Sequence, residues 1–547
     1  MDGGPEQRRM AERLRHAIRR NAQFRRERNA NGDSNRADFI VEPRSPDNYL
    51  NSSGDNYHRN DRLLIPETAE RRPPNSAFID NNQNSETSLP VSRERPSSPL
   101  GEHSEIAFLA KYIDDIFPFL FPFYRPSMME TGRSWLLILS QHSDVARHAM
   151  LCLAAYFFAV FLKDEYPGQH DRCRREIWIR LGKHTSGYVG KIQSSIQQLR
   201  AQPESTTTVE KARSMEGIVQ AILFEAALGR SGNWKIHLSA ALELFEDIFR
   251  HQTKDDPEPK FMSLLRGVGQ TAWYTPVSDT FIWDSEQAGL RFFVAILIFV
   301  DAIGSSTTGR SPRLLDHYSL LLADNDISQT SEDTVELRLS RYVGCQNWVI
   351  VAIGETAALA ERKAEGRSST ADLTEAARRI ETRISEGLLS LDAILSRSSS
   401  EGDVFSQTPF TKYRPAPPVS LTTATYIWAQ AARIHLEVDI SGLQRHSTVI
   451  RGGVQAIMER LQGIQSPSHL RSFMWPLVVA GCFSEPGDEQ EGIMTILNRM
   501  AHIEPSGQMT QVQEIVSGAW NYTGTADQKS WSLSSCLQAS GVSPLLI

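Results

Sequence analysis

The stretch NWKIHLSAALELFEDI, residues 233–248, decides the fold class. Its apolar residues Trp234, Leu238, Ala241, Phe245 and Ile248 recur at i, i+4, i+7, i+11 and i+14. On a helix these positions fall on one face; on a strand they would be split between both faces. Asn233, just ahead of them, has the short polar side chain that suits an N-cap. A helix with one apolar face must bury it against another element, so the same signal should recur. It does: Ile380, Ile384, Leu388, Leu391 and Leu395 follow i, i+4, i+8, i+11 and i+15. Ser369 and Asp372 ahead of that run form a capping-box-like pair, with Asp where Glu or Gln is usual. Ser466-Pro467 opens another helix with proline at its first position. No stretch alternates apolar and polar residues between turn dipeptides, so no sheet is expected. The periodicity predicts an all-α fold of roughly fifteen helices. Loops are expected near 200–208, 251–258, 304–312, 364–370 and 397–419. No repeat of fixed period appears, which argues against a regular solenoid.

This helical pattern occupies residues 104–547, a large multi-helix domain. The 547-residue chain, 40% hydrophobic, can bury a sizeable core. Residues 31–103 differ: they are rich in Asn, Ser, Pro, Arg and Glu, with Arg72-Pro73-Pro74 and Arg95-Pro96 opposing regular structure. Such a segment buries too little apolar surface to offset its ordering entropy and is expected to be a disordered linker. Its Ser45-Pro46 and Ser98-Pro99 pairs are the type that proline-directed phosphorylation uses. Residues 1–30 are expected to form a basic helix, with Met10, Leu14 and Ile18 as a narrow apolar stripe among arginines.

Charge is unevenly placed. The net charge is −7, yet residues 1–36 hold ten Arg against five Asp and Glu. A basic arm on an acidic body suits contact with an anionic partner. Arg8, Arg9, Arg13, Arg15, Arg19, Arg20, Arg25, Arg26 and Arg28 are therefore the candidate site residues, for nuclear import or nucleic-acid contact. No leucine heptads follow them, so basic-zipper geometry is not expected.

Other chemistry is poorly supported. The five cysteines, Cys152, Cys173, Cys345, Cys482 and Cys536, are widely separated. They offer neither the paired spacing of a zinc site nor a secreted disulfide framework, and no metal site or cofactor is expected. No apolar leader is visible at the N-terminus. The longest apolar run, Ala149 to Leu162, is shorter than the about 20 residues a spanning helix needs. That run and Phe292 to Val300 read as core helices, so no membrane is expected. Gly267-Val-Gly269-Gln-Thr-Ala272 matches a dinucleotide fingerprint, but the residues before it read as helix, not strand. Gly304-Ser-Ser-Thr-Thr-Gly309 lacks the Lys of a phosphate-gripping loop. Glu225, Asp301 and Glu355 sit in apolar helices, where burial raises a carboxyl pKa. A lone buried acid more often hydrogen-bonds a helix end or an Arg, and no catalytic residue is assigned.

Several dense segments carry a resemblance. They are Asp115-Ile-Phe-Pro-Phe-Leu-Phe-Pro-Phe-Tyr124, Gly132-Arg-Ser-Trp-Leu136, Leu153-Ala-Ala-Tyr-Phe-Phe158 and Gly232-Asn-Trp-Lys-Ile-His-Leu238. Further on come Arg291-Phe-Phe, Thr308-Gly-Arg-Ser-Pro-Arg313, Gly344-Cys-Gln-Asn-Trp348, Ala352-Ile-Gly-Glu-Thr-Ala-Ala-Leu359, Leu470-Arg-Ser-Phe-Met-Trp-Pro-Leu477 and Ala480-Gly-Cys482. In this order, over about residues 105–522, the chain resembles the regulatory region of fungal zinc-cluster transcription factors. The resemblance implies an α-helical regulatory domain, a nuclear location, and control of metabolic or secondary-metabolite gene clusters. Its implied partners are other transcriptional regulators or a second copy in a homodimer. The family's Zn2Cys6 cluster needs six closely spaced cysteines, and residues 1–151 contain none. Direct DNA contact is accordingly expected to be weak or delegated to a partner. The alternative expectation is a helical domain that senses a small molecule or a protein without binding DNA.

Overall fold

The computed structural model describes residues 102–547, apart from 125, 127–131, 166–170, 202–205, 230–232, 253–259, 270–272, 276–279, 325–334, 398–418, 445, 466, 504–506, 523–530, 540 and 542–543. The predicted basic helix and its nine arginines lie outside the described residues, as does the predicted linker up to residue 101.

The first half of the chain supplies α1 (Glu102–Lys111), α2 (Ser134–His142), α3 (Asp144–Glu165), α4 (Asp171–Ala201), α5 (Thr208–Leu228), α6 (Asn233–Gln252), α7 (Lys260–Val268) and α8 (Ser285–Thr308). The second half supplies α9 (Asn347–Ala364), α10 (Thr370–Arg397), α11 (Leu421–Ser441), α12 (Thr448–Gln462), α13 (Met474–Cys482), α14 (Asp488–Ile503), α15 (Gly507–Tyr522) and α16 (Leu533–Ala539). The fold is all-α, as the periodicity predicts. Consecutive helices pack as neighbours: α3 with α4, α5 with α6, α10 with α11, and α11 with α12.

α8 is the centre. Asp284 accepts from the backbone N–H of Gln287, and the Gln287 side chain accepts from that of Asp284, so both ends of a capping box are in place. Every residue from Gln287 to Thr307 is buried. A helix apolar on all sides must be surrounded, and α8 touches α2, α5, α6, α7, α9 and α16. It is long and apolar enough to cross a membrane, with a mean hydropathy of 1.9, but that whole window is buried inside the protein. Its sequence therefore serves as the axis of a core.

An aromatic cluster joins the first helices to this axis. α1 runs into a π-helical turn, Tyr112–Ile116, and then into one α-helical turn, Phe117–Leu120. Phe117, Tyr124 and Trp135 all meet the Phe292 ring of α8, at centroid distances of 5.2, 4.9 and 5.0 Å. The Trp135 indole N–H donates to the Tyr124 hydroxyl at 3.0 Å, so the one polar group of the buried indole is satisfied. A second aromatic stack, Trp428 on Trp475 at 5.5 Å, ties α11 to α13. The Trp475 N–H donates to Ser306 Oγ of α8 at 2.9 Å.

The predicted stripes face inward. Trp234, Leu238, Ala241, Phe245 and Ile248 are all buried, as are Ile380, Ile384, Leu388 and Leu391. Asp372 N–H donates to Ser369 Oγ at 3.1 Å, the expected half of a capping box. Pro467 opens a single helical turn, Pro467–Leu470. Two expectations need correction. A short antiparallel hairpin, β1 (Trp273–Thr275) with β2 (Thr280–Ile282), interrupts the helices; three residues per strand are too few to show alternation. The loop expected over 304–312 is half helix, because α8 continues to Thr308.

Candidate functional site: a cleft over the end of the central helix

The extension of α8 builds the site. Hydroxyls keep it helical where the sequence suggests a loop. Ser306 Oγ donates to the Ile303 carbonyl at 2.8 Å, and Thr307 and Thr308 both donate to the Gly304 carbonyl at 2.9 Å. Each buried hydroxyl thus finds its acceptor on the preceding turn. Gly309 then takes the left-handed conformation, φ +67°, and ends the helix. The chain turns back through Arg310–Arg313, and the turn is held by Asp301. Its Oδ2 accepts the Leu314 N–H at 2.9 Å. Asp301 is 3% exposed. Burial pushes its carboxyl up to about 6, opposed by the backbone N–H groups of Leu314 and Arg313.

The resulting cleft holds about 400 Å³. Trp234, Lys235 and Ser239 of α6 line it, with Asp301, Ser305 and Thr308 of α8, Arg310 and Arg313 of the turn, and Gln538 of α16. Its volume lies within the range of about 300–1,000 Å³ typical of small-molecule sites. Arg313 grips Glu246 through Nε at 3.1 Å and Nη2 at 2.8 Å. Arg310 reaches Glu361 at 3.2 Å but keeps 72% of its side chain exposed. The Lys235 ammonium lies 5.7 Å from the Trp234 ring centroid. The cleft thus joins an indole wall to a mixed rim, in which Arg313 is paired with Glu246 and Asp301 stands beside the cations Lys235 and Arg310.

The other predicted groups do not converge here. Glu225 accepts from the Tyr188 hydroxyl at 2.8 Å, and Glu355 accepts from Arg383 at 2.8 Å. These acids and Asp301 each have their own partner on a different element. Gly269 N–H bonds back to the Leu265 carbonyl at 3.2 Å, so the glycine-bearing stretch is the C-terminal end of α7 and is not a dinucleotide turn. His435 is buried 3.3 Å from Asp439, whereas His446 is exposed beside Glu485. Cys152, Cys345, Cys482 and Cys536 are buried free thiols, and burial pushes Cys152 and Cys482 up to about 12. Among the described residues no three His, Cys, Asp or Glu side chains are placed to hold a metal ion. The sequence reading missed Lys235, Arg310 and Arg313 as site residues. Their signal was present in the two segments 232–238 and 308–313, which the structure brings together.

Those segments match a known family. The fungal specific transcription factor domain aligns with residues 107–547, all of the helical body. The chain belongs to this family. The chain is similar to Transcription factor dibT of Pestalotiopsis microspora, 31% identical over 100% of this chain and 93% of the relative. Pestheic acid cluster transcriptional regulator 3 of Pestalotiopsis fici is 26% identical over 73% of this chain and 68% of the relative. The ustiloxin B cluster transcription factor ustR of Aspergillus flavus is 25% identical over 77% of this chain and 68% of the relative. No solved structure matches the chain. As a member of this family, the protein is a transcriptional regulator, and α8 with its cleft lies within the family's own domain.

Proposed function

We propose that the protein controls a biosynthetic gene cluster from the nucleus. The observation that carries this reading is the family match over residues 107–547, together with similarity over 73% and 77% of the chain to relatives named as cluster regulators. The buried acids are structural, holding turns and neighbouring helices, and no covalent chemistry is assigned to them. The helical body is the regulatory part, acting through other regulators or a second copy of the chain. The arginines Arg8, Arg9, Arg13, Arg15, Arg19, Arg20, Arg25, Arg26 and Arg28 supply import and a weak, sequence-independent contact with nucleic acid. In this reading DNA is contacted only weakly by these arginines or through a partner regulator.

The test is deletion of the gene followed by transcript profiling. A coordinated fall or rise across one contiguous set of biosynthetic genes is expected; an unchanged set would overturn the reading. Changing Arg19, Arg20, Arg25, Arg26 and Arg28 to Ala should disperse a fluorescent fusion from the nucleus, and undisturbed nuclear accumulation would remove the import role.

The cleft favours a second reading that complements the first. In it the regulator responds to a small anionic ligand held between Trp234, Lys235 and Arg310. Loss of ligand-induced thermal stabilisation in a Lys235→Ala, Arg310→Ala double variant would support it.

A further inference from the structure

We propose that a separate pocket between α9 and α10 binds a phosphomonoester dianion through Arg362, Arg379 and Arg383. The pocket holds about 240 Å³ and is walled by Leu315, Ala358, Ala376 and Ile380. Three guanidinium groups line it against a single carboxylate, Glu355. Glu355 is already held by Arg383 at 2.8 Å. The nearby carboxylates are committed as well: Glu361 to Arg310, Glu375 to Arg378 and Glu381 to Arg433. Among the described residues, the guanidiniums of Arg362 and Arg379 make no ion pair or hydrogen bond with a carboxylate, although the charge of Arg379 also acts on Glu375 beyond its contact with Arg378.

Counted over its lining, three arginines against one carboxylate, the recess carries a positive surplus of up to two charges beside an apolar wall, part of it offset by Glu375. Like charges gathered at such a wall repel one another more strongly than in open water, and a bound anion relieves that repulsion. A phosphomonoester carries about −1.5 to −2 charge near neutral pH, which matches the surplus. Its oxygens also fit the forked donors of arginine. Size narrows the choice further. The recess is smaller than the range of about 300 Å³ and above that encloses whole cofactors, so it takes one phosphate-bearing group and not a nucleotide. A duplex backbone presents a row of phosphates and calls for a stripe of cations; here three arginines line one recess. The phosphate can come from a modified protein side chain or from a small metabolite, and the chemistry of capture is the same.

The test is calorimetry on the full chain with three probes: a blocked phosphoserine, inorganic phosphate and glucose 6-phosphate, with blocked serine as control. Saturable binding of phosphate-bearing probes and none of serine is expected. An Arg362→Ala, Arg379→Ala double variant, whose changes lie at the surface, should weaken binding at least about tenfold with its thermal unfolding unchanged. Glu355→Gln should tighten it, because the competing carboxylate is gone. Tighter binding of phosphoserine than of the other probes would assign the source to a modified protein, and the reverse order to a metabolite. The proposal is overturned by absence of saturable binding to every probe, or by binding that the double variant leaves intact. It is also overturned by duplex DNA that needs the same arginines and is not displaced by phosphomonoesters.

Discussion

A methyl group placed on Gly304 would stand 2.9 Å from Cζ3 and 3.1 Å from Cη2 of Trp234. The indole therefore lies directly on the backbone of α8, and this contact sets both the spacing of α6 from α8 and the wall of the cleft. Gly304→Ala must displace a buried indole and is expected to destabilise the protein by about 1–3 kcal/mol, the usual cost of overpacking. Gly452, on the exposed side of α12, meets nothing within 4 Å. There the same change should be neutral or stabilising by roughly 0.5–1 kcal/mol, since alanine favours a helix interior. Urea unfolding of both variants checks the pair; equal effects would mean that the Trp234 contact does not govern the packing.

Asp301 gives a pH signature. Its carboxyl stands at about 6 in the folded protein against an ordinary 3.8. The folded state therefore holds the proton more tightly, and stability is lost as pH rises from the ordinary value through about 6. Above that the full penalty is present, on the order of 3 kcal/mol. Asp301→Asn removes the titration while its carbonyl oxygen can still accept the Leu314 N–H. Stability measured at about pH 4 and about pH 7 should shift in favour of the variant at the higher pH. Parallel profiles would show that the acid is not perturbed.

His148 and His184 join α3 to α4, with Nδ1 of one ring donating to Nδ1 of the other at 3.3 Å. Both are held below the ordinary histidine value, His148 by burial and then by the His184 charge, His184 mainly by burial. The charged groups around them are Asp144, Arg147, Lys191, Lys183, Arg180 and Glu105. The folded state favours neutral rings, so their contribution is intact above the ordinary value of about 6.5 and is lost as pH falls below it. His148→Gln should flatten the loss of stability between about pH 7 and about pH 5, read from urea midpoints.

Asn347 completes three backbone groups at once. Its Oδ1 accepts the Leu339 N–H at 2.8 Å, and its Nδ2 donates to the carbonyls of Leu337 at 2.8 Å and Ala323 at 3.0 Å. Asn347→Ala leaves the Leu339 N–H and the Ala323 carbonyl without this partner, whereas the Leu337 carbonyl still accepts the Ala323 N–H at 3.1 Å. The expected cost is about 2 kcal/mol or more, since each unsatisfied group costs about 1–3 kcal/mol. A melting temperature equal to that of the unaltered protein would count against this role.

Much of the fold was legible because helical burial is a local, periodic signal. The Trp234–Ile248 and Ile380–Leu391 stripes were read correctly from spacing, and Phe292–Val300 was correctly read as core. The misread loop at Gly304–Thr308 had another cause. Glycine, serine and threonine normally favour turns; here Trp234 makes use of the missing side chain, and the hydroxyls of Ser306, Thr307 and Thr308 bond back to carbonyls one turn earlier. The candidate cleft was hidden for a similar reason: Lys235 and Arg310 are 75 residues apart in sequence, and neither stands out within its own segment.

The amino-acid sequence alone determined that this chain is helical, where its apolar faces lie, and the order of segments that marks its family, because these depend on neighbours within a few turns. Only the tertiary structure decided that α8 is the axis, that Trp234, Lys235, Arg310 and Arg313 share one cleft, and that Arg362, Arg379 and Arg383 line one recess with a single carboxylate. Those facts depend on which side chains from distant helices meet and on how much water is excluded between them, and neither quantity is written in local spacing.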